Sequence, residues 1–505
     1  MTRRRNIMKL ITTPEELQSA VAQMNAETFI GFDTETTGLD PHRAKLRLLQ
    51  FATPQESFIL DAFHFPTEAL QPVLDLLAAN RPIKVAHNAK FDAEFLLKHH
   101  GIRLGAVFDT YLASLLISAG NEQDRHGLEP VAARYLNAEL DKTFQVSDWS
   151  GELSDSQLEY AARDAQILLP LREKLQARLD ELELMPAAKI EFDCINAMAA
   201  MELAGIYLEA DCWRAQTVRT KAAYDKAAAE LQKALSAGAP QMSLFEEATA
   251  SINLDSPAQI KDALGRLGIK VESTSEWALH NLAKDHPVIG LLLDYRGLSK
   301  SLSSYGLSLL DHINPVTGRV HPNFRQIGSP TGRMGCTAPS LHQIPHEKHY
   351  RECFRAPSGR KLVVADFSQI EMRILAEFSN DEALLAAFKS GADLHRITAS
   401  NMLNVPLDEV TTAQRTQAKS LNYGIVYGMG AEGLANRISC SVAEAEDLIR
   451  KYFAAFPGVA QWLADADAKA EPQRIAHVVP QHGIDQVRPG RGCVRRKDVR
   501  ANRQY

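Results

Sequence analysis

Two carboxylates that lie two residues apart, in the segment FDTET at 32–36, constrain the fold of this chain more than any other feature. Residues 28–32 have the apolar and aromatic composition of a strand, and side chains two apart on a strand project from the same face. Asp33 and Glu35 therefore form a pair on one face of a predicted strand. Such a pair alone is typical of a solvated sheet edge, so its role depends on what the rest of the chain brings beside it.

Strands and helices alternate along the first third of the chain. The predicted elements are strands at 28–32, 47–52, 56–61 and 83–88, and helices at 67–80 and 90–100. Gly101 is expected to end the last of these helices. The alternation predicts a mixed α/β domain up to about residue 175. Long helices are expected from 186 to 236, and a second region of alternating strands and helices from 330 to 460.

Two more carboxylates and a tyrosine follow at positions where they can join the first pair. Asp92 comes after a predicted strand at the start of a helix, and Tyr160 and Asp164 lie on one helical face. Four converging carboxylates would repel one another unless cations neutralised them, and Mg²⁺ or Mn²⁺ prefers such oxygen ligands. Two ions roughly 4 Å apart would stabilise the attacking and leaving oxygens of a phosphodiester. Tyr160 would orient the attacking water.

The segments FDTETTGLD, HNAKFDAEFLL and YAARDAQILL resemble the three motifs of the DEDD exonuclease superfamily, in its tyrosine subtype. Asp109-Thr110 and DKTFQVSDW at 141–149 are similar to that superfamily too. The resemblance implies a ribonuclease H-like 3′–5′ exonuclease domain at 1–180. It also implies a set of catalytic residues, of which all but the tyrosine are metal ligands: Asp33, Glu35, Asp92, Asp164 and Tyr160.

A second group of chemically active residues lies in the other half of the chain. The apolar stretch 361–365 predicts a strand ending at Asp366, a position typical of metal ligands and also of solvent-capped strand ends. The helix after it is expected to bury Ile370, Ile374, Leu375 and Phe378. Four residues recur at intervals of four and so share one helical stripe: Arg415, Lys419, Tyr423 and Tyr427. Cations neutralise phosphates and rings stack on bases, although a solvated stripe over two core tyrosines has the same pattern.

The chain resembles the family A DNA polymerases in two long segments, VVADFSQIEMRILAEFS (motif A) and RTQAKSLNYGIVYG (motif B). Shorter similar segments are SPTGRMGCTAPSLHQIP, NPVTGRVHPNF, DLHRITA, MELAGIYLEAD and INLDSPAQI. The resemblance implies an α/β protein in which the exonuclease domain precedes an incomplete palm, fingers and thumb. The thumb and the start of the palm would occupy 186–330, and motifs A and B would lie in 331–470.

This resemblance implies roles for individual polymerase residues. Asp366 would be a catalytic metal ligand, and Lys419 with Arg415 would hold the incoming triphosphate. The other nucleotide- and DNA-binding residues would be Arg333, Gln369, Glu371, His395, Tyr423 and Tyr427. The implied cofactors are two divalent ions per active site, with dNTPs as substrates. The implied partners are primer-template DNA and single-stranded DNA 3′ ends.

One expected polymerase feature is missing. Two metals need a second palm carboxylate, which this family takes from a His-Asp-Glu triplet that the 505 residues do not contain. Residues 471–505 form instead an arginine-rich tail without helical periodicity. A changed reading frame with a premature stop would produce such a tail, and so would a tail reshaped to bind DNA. The expected outcome is a working exonuclease with weak or absent primer extension.

The segment QMSLF at 241–245 resembles the peptide by which bacterial polymerases dock on the sliding clamp. Gln241 would anchor that peptide, and Leu244 and Phe245 would form a hydrophobic plug. The same two apolar residues would equally well pack on the thumb.

The composition excludes several classes of protein and indicates the cellular compartment. A 45% apolar fraction and a net charge of −6 exclude wholesale disorder and a histone-like polycation, and no apolar run near 18 residues predicts a membrane span. Six cysteines without a CxxC pair are expected to be core residues in a reducing compartment. We therefore expect a monomer in the cytoplasm, either associated with a bacterial nucleoid or phage-encoded.

Two other functions are alternatives to a polymerase with an exonuclease domain. One is a stand-alone nuclease resembling ribonuclease D with a nucleic-acid-binding remainder, and the other is a non-catalytic primer-template binding protein.

Overall fold

The structure, a computed structural model, describes residues 7–120, 124–140, 147–236, 252–280, 282–438 and 440–469. The predicted clamp peptide and the tail after 469 lie outside these ranges. The strands are β1 (Ile7–Ile11), β2 (Phe29–Thr36), β3 (Leu46–Ala52), β4 (Glu56–Asp61), β5 (Ile83–Ala86), β6 (Val107–Asp109), β7 (Asn323–Arg325) and β8 (Gly335–Thr337). The first helices are α1 (Pro14–Asn25), α2 (Gln71–Ala78), α3 (Ala89–His100), α4 (Thr110–Ile117), α5 (Leu128–Leu136), α6 (Asp155–Glu181) and α7 (Met185–Ala204).

The remaining helices are α8 (Ala210–Ser236), α9 (Pro257–Arg266), α10 (Glu276–His280), α11 (Pro287–Tyr305), α12 (Lys348–Arg351), α13 (Ile370–Ser379), α14 (Glu382–Ser390), α15 (Leu394–Leu403), α16 (Thr412–Val426), α17 (Ala431–Ile438), α18 (Val442–Ala455) and α19 (Pro457–Lys469). None of these helices, as far as they are described, is long and apolar enough to span a membrane. The described chain divides into two units. The first unit holds residues up to Ile206 with Asn314–His342, and the second holds Tyr207–Ile313 with Gln343–Ala468.

A six-stranded mixed sheet with the order β1-β4-β3-β2-β5-β6 organises the first unit. β3 pairs antiparallel with β2 and β4, whereas β5 runs parallel to β2 and β6. The four strands predicted from the sequence are confirmed, and Gly101 ends α3 in the left-handed conformation (φ 71°). β1 and β6 were not predicted, and the three residues of β6 are too few to show a strand period.

The two faces of this sheet are covered differently. One face packs in the main core of the unit, which includes Phe32, Phe51 and Phe58. The other face lies against α6 and the loop before it, where Leu48, Ile59 and Trp149 are buried together. A Cβ atom at Gly31 would lie 2.1 Å from the carbonyl oxygen of Ala165, so only glycine lets α6 approach β2 this closely. This close approach brings the polar residues of α6 to the middle of the sheet.

Lys84 on β5 is a charged side chain with no exposed surface, and its ammonium group donates to the carbonyl oxygen of Ala79. Burial lowers the pKa of Lys84 from 10.5 to about 8. At pH 7 the folded chain therefore carries a cation that burial disfavours. We expect Lys84→Met to raise the free energy of unfolding at pH 7 by about 1–3 kcal/mol, because one pKa unit corresponds to about 1.4 kcal/mol and the lost hydrogen bond offsets part of the gain.

Between pH 8 and 10.5 the unfolded chain binds more protons at Lys84 than the folded chain does. The wild type should therefore gain stability with rising pH, and the advantage of Lys84→Met should shrink. Urea unfolding at pH 7 and pH 10 measures this, with Lys98→Met at an exposed position of α3 as the control. A Lys84→Met chain that is less stable than the wild type at pH 7 would contradict the prediction.

The hairpin β7–β8 and helix α7 belong to the first unit. Ile327 lies in its main core, and the Gln326 amide donates to the carbonyl oxygen and to a carboxylate oxygen of Glu191 on α7, both at 2.8 Å. Lys90 on α3 donates to Glu202 at 2.5 Å and to the carbonyl oxygen of Phe324 at 2.7 Å. The sequence analysis assigned 186–330 to the thumb and the start of the palm, and these subdomain boundaries stay predictions.

The second unit is helical in its described residues and has two clusters of buried side chains. One cluster joins α8, α9 and α11 through residues such as Leu231, Ile260 and Leu292. The other joins α13 to α19 and centres on Tyr452 and Phe456. The long helices predicted from 186 to 236 are confirmed as α7 of the first unit and α8 of the second. The predicted alternation of strands and helices from 330 to 460 is wrong, because helices make up the regular structure of the described residues from 343 to 469.

The strand predicted at 361–365 does not form. Val363 and Val364 are each 91% exposed, and Leu362 is 50% exposed. A strand needs a neighbour to accept its backbone hydrogen bonds, and the described residues provide none for this stretch. The helix after it is α13, but Ile370, Ile374 and Phe378 are about 40% exposed, while Met372 and Leu375 are buried. The predicted buried face is therefore only partly correct.

The cysteines differ from the sequence expectation at one pair. Cys212 at the start of α8 and Cys353 after α12 form a disulfide, with Cα atoms 5.4 Å apart. Cys336 is buried and without a disulfide, as expected of a small core residue. A separation of 141 residues carries no sequence signal for pairing, which is why the sequence analysis missed it.

Candidate functional site

The candidate exonuclease site begins on β2, where Asp33 and Glu35 project from the same face. In the register of the β2–β3 pair, Asp33 faces Gln50 and Glu35 faces Leu48. Leu48 belongs to the buried cluster beneath α6. The two carboxylates therefore lie on the face of the sheet that α6 covers, and both are half-buried.

Asp92 joins them from the first turn of α3. Its side chain is 2% exposed, and one of its carboxylate oxygens accepts a hydrogen bond from the Thr34 hydroxyl at 2.5 Å. Thr34 lies between the two strand carboxylates, so this bond ties the start of α3 to the centre of β2. The chain enters the helix through Asn88, which adopts a left-handed conformation (φ 64°) that Asn tolerates better than most residues.

Helix α6 supplies Tyr160 and Asp164, one turn apart. The helix starts at a capping box in which Ser154 and Gln157 bond to each other's backbone. The hydroxyl of Tyr160 bonds to the carboxylate of Asp164. The structure therefore brings together the four carboxylates and the tyrosine that the sequence analysis selected.

The carboxylates lie close enough to change one another's ionisation. Burial is the largest cause in every case: it raises the pKa of Asp33 well above its usual range, that of Glu35 to about 8, that of Asp92 to about 7 and that of Asp164 to about 6. The negative charges of Asp92 and Asp164 raise the pKa of Asp33 and Glu35 further. Asp92, which is buried, and three half-buried carboxylates thus share a region that disfavours their ionised forms unless a cation is present.

The donor set fits magnesium or manganese, because every candidate ligand is a carboxylate oxygen. Within the described ranges, however, no group of three His, Cys, Asp or Glu side chains is arranged so that it could hold a metal ion. Binding of an ion would therefore require these side chains to turn toward one another.

Asp109 supports this site, although the sequence analysis gave it no role. Its buried carboxylate accepts hydrogen bonds from the backbone N–H groups of Asn88 (3.2 Å), Ala89 (2.8 Å), Tyr111 (2.8 Å) and Leu112 (3.1 Å). Two of these donors start α3 and two start α4. The only sequence signal was the similarity of Asp109-Thr110 to the exonuclease superfamily.

Asp109→Ala should therefore damage both stability and activity. Losing the cap and leaving buried N–H groups without acceptors should cost about 2–4 kcal/mol of unfolding free energy. Exonuclease activity should fall as well, because the start of α3 carries Asp92. The control is Asp381→Ala, since Asp381 is also buried and caps α14 in the second unit. The control should lose stability without losing exonuclease activity, and equal activity loss in both variants would contradict the prediction.

The predicted nucleotide-binding residues gather around α16 in the second unit. Thr411 starts this helix with a capping box to Gln414. Arg415 donates to Asp393 at 2.7 Å, Lys419 is exposed, and the Tyr423 ring lies 5.8 Å from the ring of His395. Cations and an aromatic ring thus share one side of α16, as the spacing of four predicted.

His395 is held by a partner that the sequence analysis did not select. It is 3% exposed, and the amide of the fully buried Asn422 bonds to its Nδ1 at 3.0 Å. Asn422 also bonds to Thr398. Burial lowers the pKa of His395. This network fixes the orientation of the His395 ring from inside the helical cluster.

The other predicted polymerase residues lie in more exposed places. The hydroxyl of Tyr427 donates to Glu371 at 2.5 Å, so these two residues do meet. Gln369 adopts a left-handed conformation (φ 55°) directly before α13. Asp366 is exposed in the stretch that does not form a strand, and Arg333 is exposed in the β7–β8 hairpin of the first unit. Gln241, Leu244 and Phe245 lie outside the described residues.

Comparison with known proteins identifies the two parts of the chain. The model of DNA polymerase family A matches residues 221–482, and that of the 3′-5′ exonuclease domain matches residues 8–180. DNA polymerase I of Aquifex aeolicus is 31% identical, covering 90% of this chain and 78% of its own length. DNA polymerase I of Pseudomonas aeruginosa is 32% identical, covering 88% of this chain and 51% of its own length.

A solved structure is similar to this chain over most of its length. It is the POL domain of Pol1 from M. smegmatis, in complex with DNA primer-template and dNTP. The two structures have a TM-score of 0.76 and 26% sequence identity, covering 92% of this chain and 79% of that one.

The chain therefore belongs to DNA polymerase family A and carries a 3′–5′ exonuclease domain in its N-terminal part. The predicted α/β fold class is confirmed, and domains of these families generally use divalent metals. The alternative of a stand-alone nuclease resembling ribonuclease D is not favoured, because the polymerase match covers the part it left as a remainder. The chain spans about half the length of several curated relatives. The match to the polymerase family ends at residue 482. The start of the arginine-rich tail at residue 471 stays a prediction.

Proposed function

We propose that this chain removes nucleotides from DNA 3′ ends by hydrolysis. The observation that carries the proposal is the convergence of four carboxylates and one tyrosine between β2, α3 and α6. The effects of Asp92 and Asp164 on the pKa values of Asp33 and Glu35 support a common site for the four carboxylates. Paired carboxylates of this kind fit phosphodiester chemistry better than a structural role, because their burial without cations costs stability.

The roles of the side chains follow from their contacts. The four carboxylates would hold two divalent ions, Mg²⁺ or Mn²⁺, which when bound activate water and stabilise the leaving oxygen. Tyr160 would orient the attacking water through its hydroxyl. Burial raises the pKa of Tyr160 above its usual value, so the hydroxyl stays protonated and acts as a hydrogen-bonding group rather than as a base. Asp109 and Thr34 would hold Asp92 at its place beside β2, because Asp109 caps the start of α3 and the Thr34 hydroxyl donates to the Asp92 carboxylate.

DNA is the proposed substrate because the chain belongs to a DNA polymerase family. The M. smegmatis protein was solved with primer-template DNA and dNTP, and we infer that this chain also binds primer-template DNA and single-stranded 3′ ends. A cytoplasmic location fits the bacterial relatives. The monomeric state, the nucleoid or phage origin and the sliding clamp stay predictions.

Nucleotide binding is a second proposed function, favoured by the arrangement around α16. Arg415 and Lys419 would neutralise the triphosphate of a dNTP, and Tyr423 and His395 would lie beside the base and sugar. Asp366 would contribute one carboxylate of the polymerase site. We propose that the polypeptide of these 505 residues binds dNTPs but extends primers weakly or not at all.

The proposed substrate is tested by comparing two oligonucleotides of the same sequence, one DNA and one RNA, each labelled at the 5′ end. With Mg²⁺, the DNA strand should shorten from its 3′ end at least about tenfold faster than the RNA strand. Faster shortening of the RNA would favour the ribonuclease D-like alternative. No shortening of either strand would favour the non-catalytic binding protein.

A further inference from the structure

Gln50 on β3 is a fully buried amide that the proposed function does not use. Its exposed fraction is 0%, and neither its amide nitrogen nor its amide oxygen has a hydrogen-bond partner among the described residues. A buried polar group without a partner costs about 1–3 kcal/mol, and such groups in native proteins call for an explanation. Both the nitrogen and the oxygen of the Gln50 amide are such unpartnered groups.

The strand register places Gln50 beside the exonuclease carboxylates. Gln50 faces Asp33 across the β2–β3 pair and Ile59 across the β3–β4 pair. Directly opposed side chains on an antiparallel pair lie on one face, with Cβ atoms about 4.5–5.5 Å apart. Ile59 is apolar and belongs to the cluster under α6. Of the two facing side chains, only the Asp33 carboxylate can accept a hydrogen bond.

One diagonal polar neighbour of Gln50 on this face already has a partner. Ser57, diagonal to Gln50 on β4, accepts a hydrogen bond from the amide of Gln166 on α6 at 2.6 Å. Helix α6 covers the face with small residues, because Ala161, Ala162 and Ala165 are all buried there. The side chain of Gln50 is therefore enclosed between strand and helix, directly opposite Asp33.

We propose that Gln50 is a positioning residue of the exonuclease site, whose amide nitrogen donates a hydrogen bond to the ionised Asp33 carboxylate when that carboxylate holds a divalent ion. This inference rests on the proposed function. The hydrogen bond would fix the orientation of Asp33 and stabilise its charged form. Partners of metal-binding carboxylates typically change metal affinity by about 10–100-fold when removed.

The test measures Mn²⁺ binding to the full chain by isothermal titration calorimetry, without DNA. Gln50→Met keeps the size of the side chain and removes the donor, and it should weaken Mn²⁺ binding by about tenfold or more. Gln166→Met is the matched control, because it removes an amide of α6 that faces the same side of the sheet and bonds to Ser57 instead of a carboxylate. The control should bind Mn²⁺ within about twofold of the wild type.

Thermal unfolding separates positioning from packing. Replacing an unpartnered buried amide by an apolar group is neutral or stabilising, so Gln50→Met should unfold at or above the wild-type temperature despite weaker Mn²⁺ binding. If Gln50→Met fails to fold, Gln50→Leu takes its place with the same expectation. Unchanged Mn²⁺ affinity in the folded variant would overturn the proposed role of Gln50 and leave the proposed function intact. A wild-type chain that binds no Mn²⁺ would overturn both this inference and the proposed function.

Discussion

Replacing Asp33 by Asn and Glu35 by Gln together is expected to lower the rate of 3′-end hydrolysis by about 10³-fold or more. The two substitutions keep the size of both side chains and remove half of the carboxylates that would neutralise the metal ions. Losing a single electrostatic contact in a transition state already costs about 10²–10³-fold, and these ligands act on both the water and the leaving oxygen. The rate is measured from the shortening of a 5′-labelled single-stranded DNA in Mg²⁺.

Stability should change in the opposite direction from activity. Burial raises the pKa of both residues, so their ionised forms are disfavoured in the folded chain. Neutral amides of the same shape should leave the melting temperature in EDTA unchanged or higher. The charge-matched control is Glu68→Gln with Asp75→Asn, at two exposed positions of the same unit, and it should keep wild-type activity. An active Asp33→Asn, Glu35→Gln chain would refute the assignment of the site.

The polypeptide of these 505 residues is expected to shorten primers and not to extend them. Asp366 is exposed in a stretch where the predicted strand does not form. The sequence has no His-Asp-Glu triplet that would supply a second palm carboxylate. Two-metal nucleotidyl transfer needs a second carboxylate to hold both ions. We therefore expect extension at least about 10³-fold slower than hydrolysis.

The extension assay is best run in the Asp33→Asn, Glu35→Gln background, where hydrolysis cannot hide added nucleotides. A 5′-labelled primer on a template, with Mg²⁺ and all four dNTPs, should stay at its original length. Titration of a fluorescent dNTP against the same chain should still show binding, and Arg415→Ala with Lys419→Ala should weaken that binding. Primers extended over several template positions would contradict the prediction.

The parts of the fold that the sequence predicted are those in which local pattern and tertiary environment agree. β2 to β5 alternate apolar side chains or form short buried runs, and Gly101 marks the end of α3. A period of two on a strand and of four on a helix predicted which of the exonuclease residues share a face, and the resemblance of three segments to the DEDD motifs singled these residues out.

The parts that the sequence did not predict depend on distant partners. The stretch 361–365 has the composition of a buried strand, but strand formation requires a paired neighbour, which composition cannot supply. Asp109 gains its importance from four N–H groups on two helices, and Asn422 from a ring on α15. In the sequence, Gln50 is one polar residue in an apolar strand, and only the strand register shows that it faces Asp33. The bond between Cys212 and Cys353 joins segments far apart in sequence.

The most direct test of the central claim is the direction and metal dependence of DNA hydrolysis by the purified chain. A single-stranded DNA labelled at its 5′ end is incubated with the chain in Mg²⁺, and in parallel with excess EDTA. The account predicts a ladder of labelled products that shortens from the 3′ end in Mg²⁺ and no products in EDTA. Release of the label as a mononucleotide at the start of the reaction, or equal hydrolysis in EDTA, would contradict it.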